Sequence, residues 1–261
     1  MCDRNFPNPL PHLPGWLFCL GLSLLLNWIV VANANAGPLS DRLAAYPNWP
    51  SRPPVTAAEG ELVYPDWLAG TWQVTSPLLD AIAPLAPEIV TPGFAAQQAQ
   101  LNQTVQFRVR FGPQSPRSPQ QCTTLGSRPL NIALPPPPSF KAQVVADRVF
   151  NGTEIARAYL GQGAIQSVTV DPCQPNRQIT RLNPSGTLIA TVTHRASEAL
   201  DSHQFIATEL TNQVFRLGEQ VYINDVETTT HYHQLTTLQI DAEQITAIYL
   251  SPQDPDYFQA G

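Results

Sequence analysis

Thr104-Val105-Gln106-Phe107-Arg108-Val109-Arg110-Phe111 alternates apolar and polar side chains without a break. Successive side chains of a strand point to opposite faces, so Val105, Phe107, Val109 and Phe111 share one face while Gln106, Arg108 and Arg110 take the other. A strand with one dry and one wet face belongs to an antiparallel sheet laid over a core. Which of the two sets lines the interior decides between an apolar and an anionic guest.

Working outward, strand signals recur at 67–76, 143–150, 164–170, 177–182, 187–195, 204–216, 221–235 and 245–250. The segment 143–150 runs into Asn151-Gly152, read as a turn pair, and Asn183-Pro184-Ser185-Gly186 places Pro and Gly where a hairpin loop wants them. Helix candidates are few: 153–160, ended by Gly161, and a short piece at 77–83 that Pro84 and Pro87 curtail. About nine strands with short connections predict an all-β chain, an antiparallel barrel or sandwich.

Proline divides the chain unevenly, with eighteen between Gly37 and Phe140 and five after it. The segment 39–64 carries Pro47, Pro50, Pro53 and Pro54 and is expected to run as an extended lead-in wrapping the domain, since each Pro lacks a donor and fixes φ. The expected organisation is a signal peptide over 1–36, a Pro-rich lead-in over 37–64 and one barrel domain over 65–261.

The signal is read from 16–31, WLFCLGLSLLLNWIVV, an apolar run after Arg4 that is shorter than a membrane-spanning helix requires and carries Asn27. Ala34-Asn35-Ala36 supplies the small residues of an A-x-A cleavage site ending at Ala36. Cleavage predicts an exported protein with no integral membrane segment left. It removes Cys2 and Cys19 and leaves Cys122 and Cys173, both in turn-rich surroundings, which in an oxidising compartment predicts a disulfide.

Composition excludes several functions. The formal net charge is −6, with 20 acidic against 14 basic residues and no basic run, so the field that nucleic acid requires is missing. Lysine occurs once, at Lys141. The chain has no Gly-x-Ser-x-Gly elbow, phosphate loop, His-Glu-x-x-His helix or Cys-x-x-Cys pair, so neither a catalytic residue nor a cofactor is assigned. His231 and His233 lie two apart on a strand and share a face with Glu227, with His194 and His203 as the other imidazoles. A polar outer face is the favoured reading of this set over a metal site, which needs further ligands. Asp254 and Asp256, flanked by prolines, read as a rigid turn rather than a calcium loop.

Asp66-Trp67-Leu68-Ala69-Gly70-Thr71-Trp72 places Gly-x-Trp at the head of the first strand. This resembles the opening signature of the calycin superfamily, the lipocalin-like barrels, in which the Gly allows a tight entry and the Trp closes the barrel floor. Those barrels commonly stack an Arg of the last strand over that Trp. No Arg follows Arg216 here, so either Arg216 serves or the barrel closes differently. The longer pattern YPDWLAGTW, APEIVTPGF, NGTEIARAYLG and AIYLSPQDPDYF is similar to a group of exported proteins of cyanobacteria and plastids. That similarity implies a thylakoid-lumen or periplasmic setting and brings no activity with it.

In lipocalin-like barrels a large loop over the cavity mouth follows strand one. Here that place holds 78–94, LLDAIAPLAPEIVTPGF, an apolar stretch stiffened by prolines. The leading expectation is therefore a non-enzymatic barrel holding a small apolar ligand, a lipid or pigment, against Trp72, Leu78, Leu79, Ile82, Leu85 and Phe107. The alternative is a partner-binding accessory protein of a photosynthetic or envelope complex with a filled barrel. A calycin-like pigment-modifying enzyme stands third.

Overall fold

The computed structural model describes residues 37–49, 51–84, 94–114, 142–254 and 257, all in one compact unit, Ala36–Gly261. The chain enters through helix α1 (Pro38–Ala44) and a two-residue strand β1 (Thr56–Ala57), then turns through Asp66–Leu68 into β2 (Gly70–Pro77). Gly70 makes that entry at φ 136°, a conformation closed to side-chain-bearing residues, which bears out the tight turn expected of it. Then come α2 (Phe94–Gln98), β3 (Thr104–Pro113), β4 (Val144–Ala146) and α3 (Arg148–Leu160). The rest is an antiparallel meander: β5 (Ile165–Asp171), β6 (Gln174–Leu182), β7 (Gly186–Ala199), β8 (Gln204–Leu217), β9 (Gln220–Thr236) and β10 (Gln239–Ile248).

Two sheets result. One is three-stranded, in the order β2-β3-β4, and the other follows β10-β9-β8-β7-β6-β5 with β1 paired onto β7. The mostly-β, antiparallel architecture is as expected, but the two sheets do not close into a barrel among the described residues. Phe111 of β3 packs with Leu62, Leu68, Val144, Phe205 and Ala207, with Tyr64, Trp72, Val109, Tyr232 and Ile240 at the margin, so the small sheet lies on one face of β8 and β9. The dry face of the 104–111 strand is thus the interior one. Arg108 and Arg110 are exposed, so this strand turns no arginine inward toward an anionic guest.

Three local expectations are corrected. Pro47 and its successors do not keep the lead-in fully extended, because the seven residues of α1 precede them and Pro38 takes the first helical turn, where its missing N–H costs nothing. The segment 143–150 is a strand only over Val144–Ala146, after which the Asp147 carboxylate accepts from Phe150 N at 2.9 Å and caps α3. Asn151-Gly152 is therefore helical rather than a turn. The glycine lets the Gln178 amide of β6 lie close, since a Cβ there would fall 2.6 Å from Gln178 Nε2 and push that side chain aside.

Asn151 has a second task. Its Oδ1 accepts from Arg110 N at 2.6 Å and its Nδ2 donates to Arg110 O at 3.1 Å, so one side chain stands in for a strand residue on the edge of β3. Replacing Asn151 with leucine is expected to cost about 1–2 kcal/mol, two net hydrogen bonds at an exposed edge. Urea unfolding measures the loss, and hydrogen exchange should speed up at the Arg110 amide. Exchange unchanged at Arg110 would show that water replaces the asparagine fully.

Candidate functional site

The residues expected to hold a ligand fall in three places. Trp72 sits at the core margin, its Nε1 donating to Leu68 O at 2.8 Å, and no arginine covers it among the described residues. Phe107 is half-buried with its ring 6.3 Å from that of Tyr159 on α3. Leu78 is tied through its backbone to Asn102 and Gln103, whereas Leu79 and Ile82 are 76% and 42% exposed. Leu85 lies outside the described residues, as do Cys122 and Asp256. Cys173 is exposed, in the turn between β5 and β6.

Between the sheets the space is taken by rings. Tyr64 meets Phe111 edge-on at 4.8 Å and lies 5.8 Å from Phe205 and 6.2 Å from Tyr232. Burial raises Tyr64 well above the ordinary phenol range and pushes Tyr232 up to about 12. Because the folded values exceed the unfolded one, the unfolded chain binds fewer protons in alkali, and these tyrosines stabilise the fold fully only below pH ~10. Stability should fall as the pH rises from there through about 12. Tyrosinate absorbance should appear late and together with unfolding, and Tyr232→Phe should remove part of the slope. Early ionisation without unfolding would mean that water reaches the rings.

A charged cluster borders this core. Arg148 of α3 bridges Glu209 of β8 at 2.7 Å and Glu61 at 3.3 Å, and Arg195 of β7 reaches the same Glu209 at 3.3 Å while donating to Gly60 O and Asn176 Oδ1. Burial would lower Arg148, but the Glu209 and Glu61 carboxylates outweigh it and hold it above its usual value. In Arg195 burial wins and the value falls. Periodicity does not reveal this cluster, because its members come from five distant segments.

An open groove of about 470 Å³ lies where α3 crosses β3. The guanidinium groups of Arg110 and Arg108 lie over the Phe150 ring at 4.3 and 5.5 Å and are paired with Asp147 and Glu154. Arg157, further along, has a buried Nε with no partner among the described residues. Thr153 Oγ1 is spent on Val149 O at 2.7 Å. The described lining of the groove presents arginine and aromatic surface.

The histidine face is polar but, against expectation, not an outer one along its length, since Glu227 and Thr229 on it are fully buried. His231 shares a hydrogen bond with Gln204 at 3.2 Å, His233 is exposed, and Glu227 is held by Arg42 instead, through Nε at 2.8 Å and Nη2 at 2.7 Å. No group of three metal-ligating side chains forms among the described residues. Asp254 accepts from Tyr222 OH at 3.0 Å and from Ser251 N at 2.6 Å, as a rigid turn requires. No helix among the described residues is long and apolar enough to cross a membrane.

No curated protein and no solved structure matches the chain. Residues 56–261 do match the model of a family described as a domain of unknown function, and with most of its length so covered the chain belongs to the DUF6816 family.

Proposed function

We propose that this protein is an exported, non-enzymatic binding module that docks a protein partner, in the periplasm or thylakoid lumen, rather than carrying an apolar molecule between its sheets. The observation that carries the reading is the interior, where Tyr64, Phe111, Phe205 and Tyr232 pack ring against ring between the sheets. The calycin-like resemblance then stands for a packed scaffold.

The docking face is α3 and the edge of β3 beside it. Val149, Ile155, Tyr159 and Leu160 are 42%, 37%, 44% and 58% exposed on a single helix. Arg108, Arg110 and Arg157 border them, and arginine and tyrosine beside exposed apolar surface is the composition of an interface. In the same reading the oxidising compartment pairs Cys122 with Cys173, which non-reducing peptide mapping of exported protein recovers as one linked peptide. Two free thiols in that map would remove the pairing.

Two measurements on protein isolated from its own host test the proposal. Native mass spectrometry should give the polypeptide mass alone. A photo-crosslinking residue at position 159 should capture one defined protein, and Leu160→Glu should abolish the capture. A stoichiometric lipid or pigment that is lost on Phe107→Ala would overturn partner docking and install the apolar-ligand reading.

A further inference from the structure

Gly37 N donates to Glu198 Oε1 at 2.9 Å and Leu39 N to Glu198 Oε2 at 3.0 Å, so one carboxylate of β7 grips the first turn of the described chain. Glu198 is half-buried and makes no ion pair among the described residues. The nearest arginine on that helix, Arg42, is committed to Glu227. Among the described residues this carboxylate has no counter-charge, and a peptide N–H brings only a dipole. The approach is also unusually close, since a Cβ on residue 37 would stand 2.3–2.5 Å from the Glu198 carboxyl atoms. The backbone at φ −84° and ψ 177° is open to any residue, so what glycine allows here is the close seat of the Glu198 carboxylate, which a larger side chain would push aside.

The preceding residues are Ala34-Asn35-Ala36, the small-x-small pattern that a leader peptidase cuts behind. We propose that hydrolysis of the Ala36–Gly37 bond creates the missing partner, the α-ammonium of Gly37, which locks onto Glu198. Water supplies the atoms. The C–N bond breaks, hydroxide goes to the Ala36 carbonyl to leave a carboxylate, and the Gly37 nitrogen takes a proton and is then protonated a second time at neutral pH. The atom that donated one N–H as an amide now offers a full charge and several N–H donors to the same oxygen, a charge-assisted bond in place of a neutral one. Removal of the leader thus tightens the fold at the point of the cut, and α1 is fixed five residues after Gly37 by the buried pair of Arg42 to Glu227.

The single lysine makes the test clean, since the processed chain has two amines, the α-amine and Lys141. The full chain, leader included, is expressed in an exporting bacterium and the mature protein is purified. Its N-terminal residue should be Gly37. Reductive methylation at pH 7 consumes neutral amine, so an ion pair that raises the α-amine by one pH unit slows its labelling about tenfold relative to the same chain in urea. Glu198→Gln should restore most of that rate and leave Lys141 unchanged. An N-terminus at any other residue overturns the proposal. So does an α-amine that labels equally fast in native and unfolded wild-type protein, a comparison that needs no variant to fold.

Discussion

Arg42→Ala is expected to destabilise the protein by about 3–5 kcal/mol, because it strands a buried carboxylate. Glu227 is fully buried and Arg42 is 8% exposed. Around the Arg42 fork, Glu227 also accepts from Thr229 Oγ1 at 3.0 Å and Tyr249 OH at 2.7 Å. The guanidinium is sandwiched in turn, 4.0 Å from the Trp49 ring centroid, with Nη1 donating to Ser51 O at 2.8 Å and Trp49 Nε1 donating to Arg42 O at 2.7 Å. Removing the arginine side chain therefore removes the cation stacked on Trp49 as well as the counter-charge, while the backbone oxygen of residue 42 keeps its bond from Trp49 Nε1.

The partner experiment separates the cost of breaking the pair from its net worth. Arg42→Met with Glu227→Met removes both charges together, and such exchanges are often neutral or stabilising when the volume is filled. Thr229 keeps Thr208 as a partner at 3.0 Å, and the half-exposed Tyr249 hydroxyl can turn to water. The double variant should recover most of the stability lost by either single change in urea unfolding. If instead it unfolds as readily as Arg42→Ala, the network is valued for its hydrogen bonds and not for its charge balance.

Strands were legible where their cause is local. The alternation over 104–111, the Asn-Pro-Ser-Gly loop before β7 and the glycine before Trp72 each act within a few residues, and each matches the structure. The buried ion pair was illegible because its members are 185 residues apart and one lies in a segment that proline count marked as irregular. Glu227 itself was noticed, through its shared face with His231 and His233, but parity cannot tell which element covers a face. Here α1 covers one end of that face, so the carboxylate meets an arginine instead of a metal. Asn151 was misread for a similar reason, since Asn-Gly signals a turn only when nothing else recruits the amide, and here the open edge of β3 does so. The candidate site was the least legible part, because the exposure of four apolar residues on α3 depends on what the rest of the chain does or does not lay over them.

The four apolar residues of the deciding strand face the same way but not the same surroundings, and this predicts a gradient along it. Phe111 is 6% exposed and meets Tyr64 at 4.8 Å and Tyr232 at 6.3 Å. Phe111→Ala should cost about 3–5 kcal/mol, the transfer energy of the ring plus the cavity left between two aromatic neighbours that cannot collapse onto it. Phe107 is half-buried and its ring neighbour is Tyr159 on the exposed side of α3, where water can enter the vacated space. Its truncation should cost well under half as much, since no dry cavity survives. The ordering also bears on function, because Phe107 lies four residues from the sealed end of the core, at the only part of this strand where a guest would not have to displace Tyr64 or Tyr232. Urea midpoints for the two variants, with m-values unchanged, decide it. Equal losses would mean that the far end of the small sheet is as tightly packed as the near end, leaving no opening for an apolar guest at all.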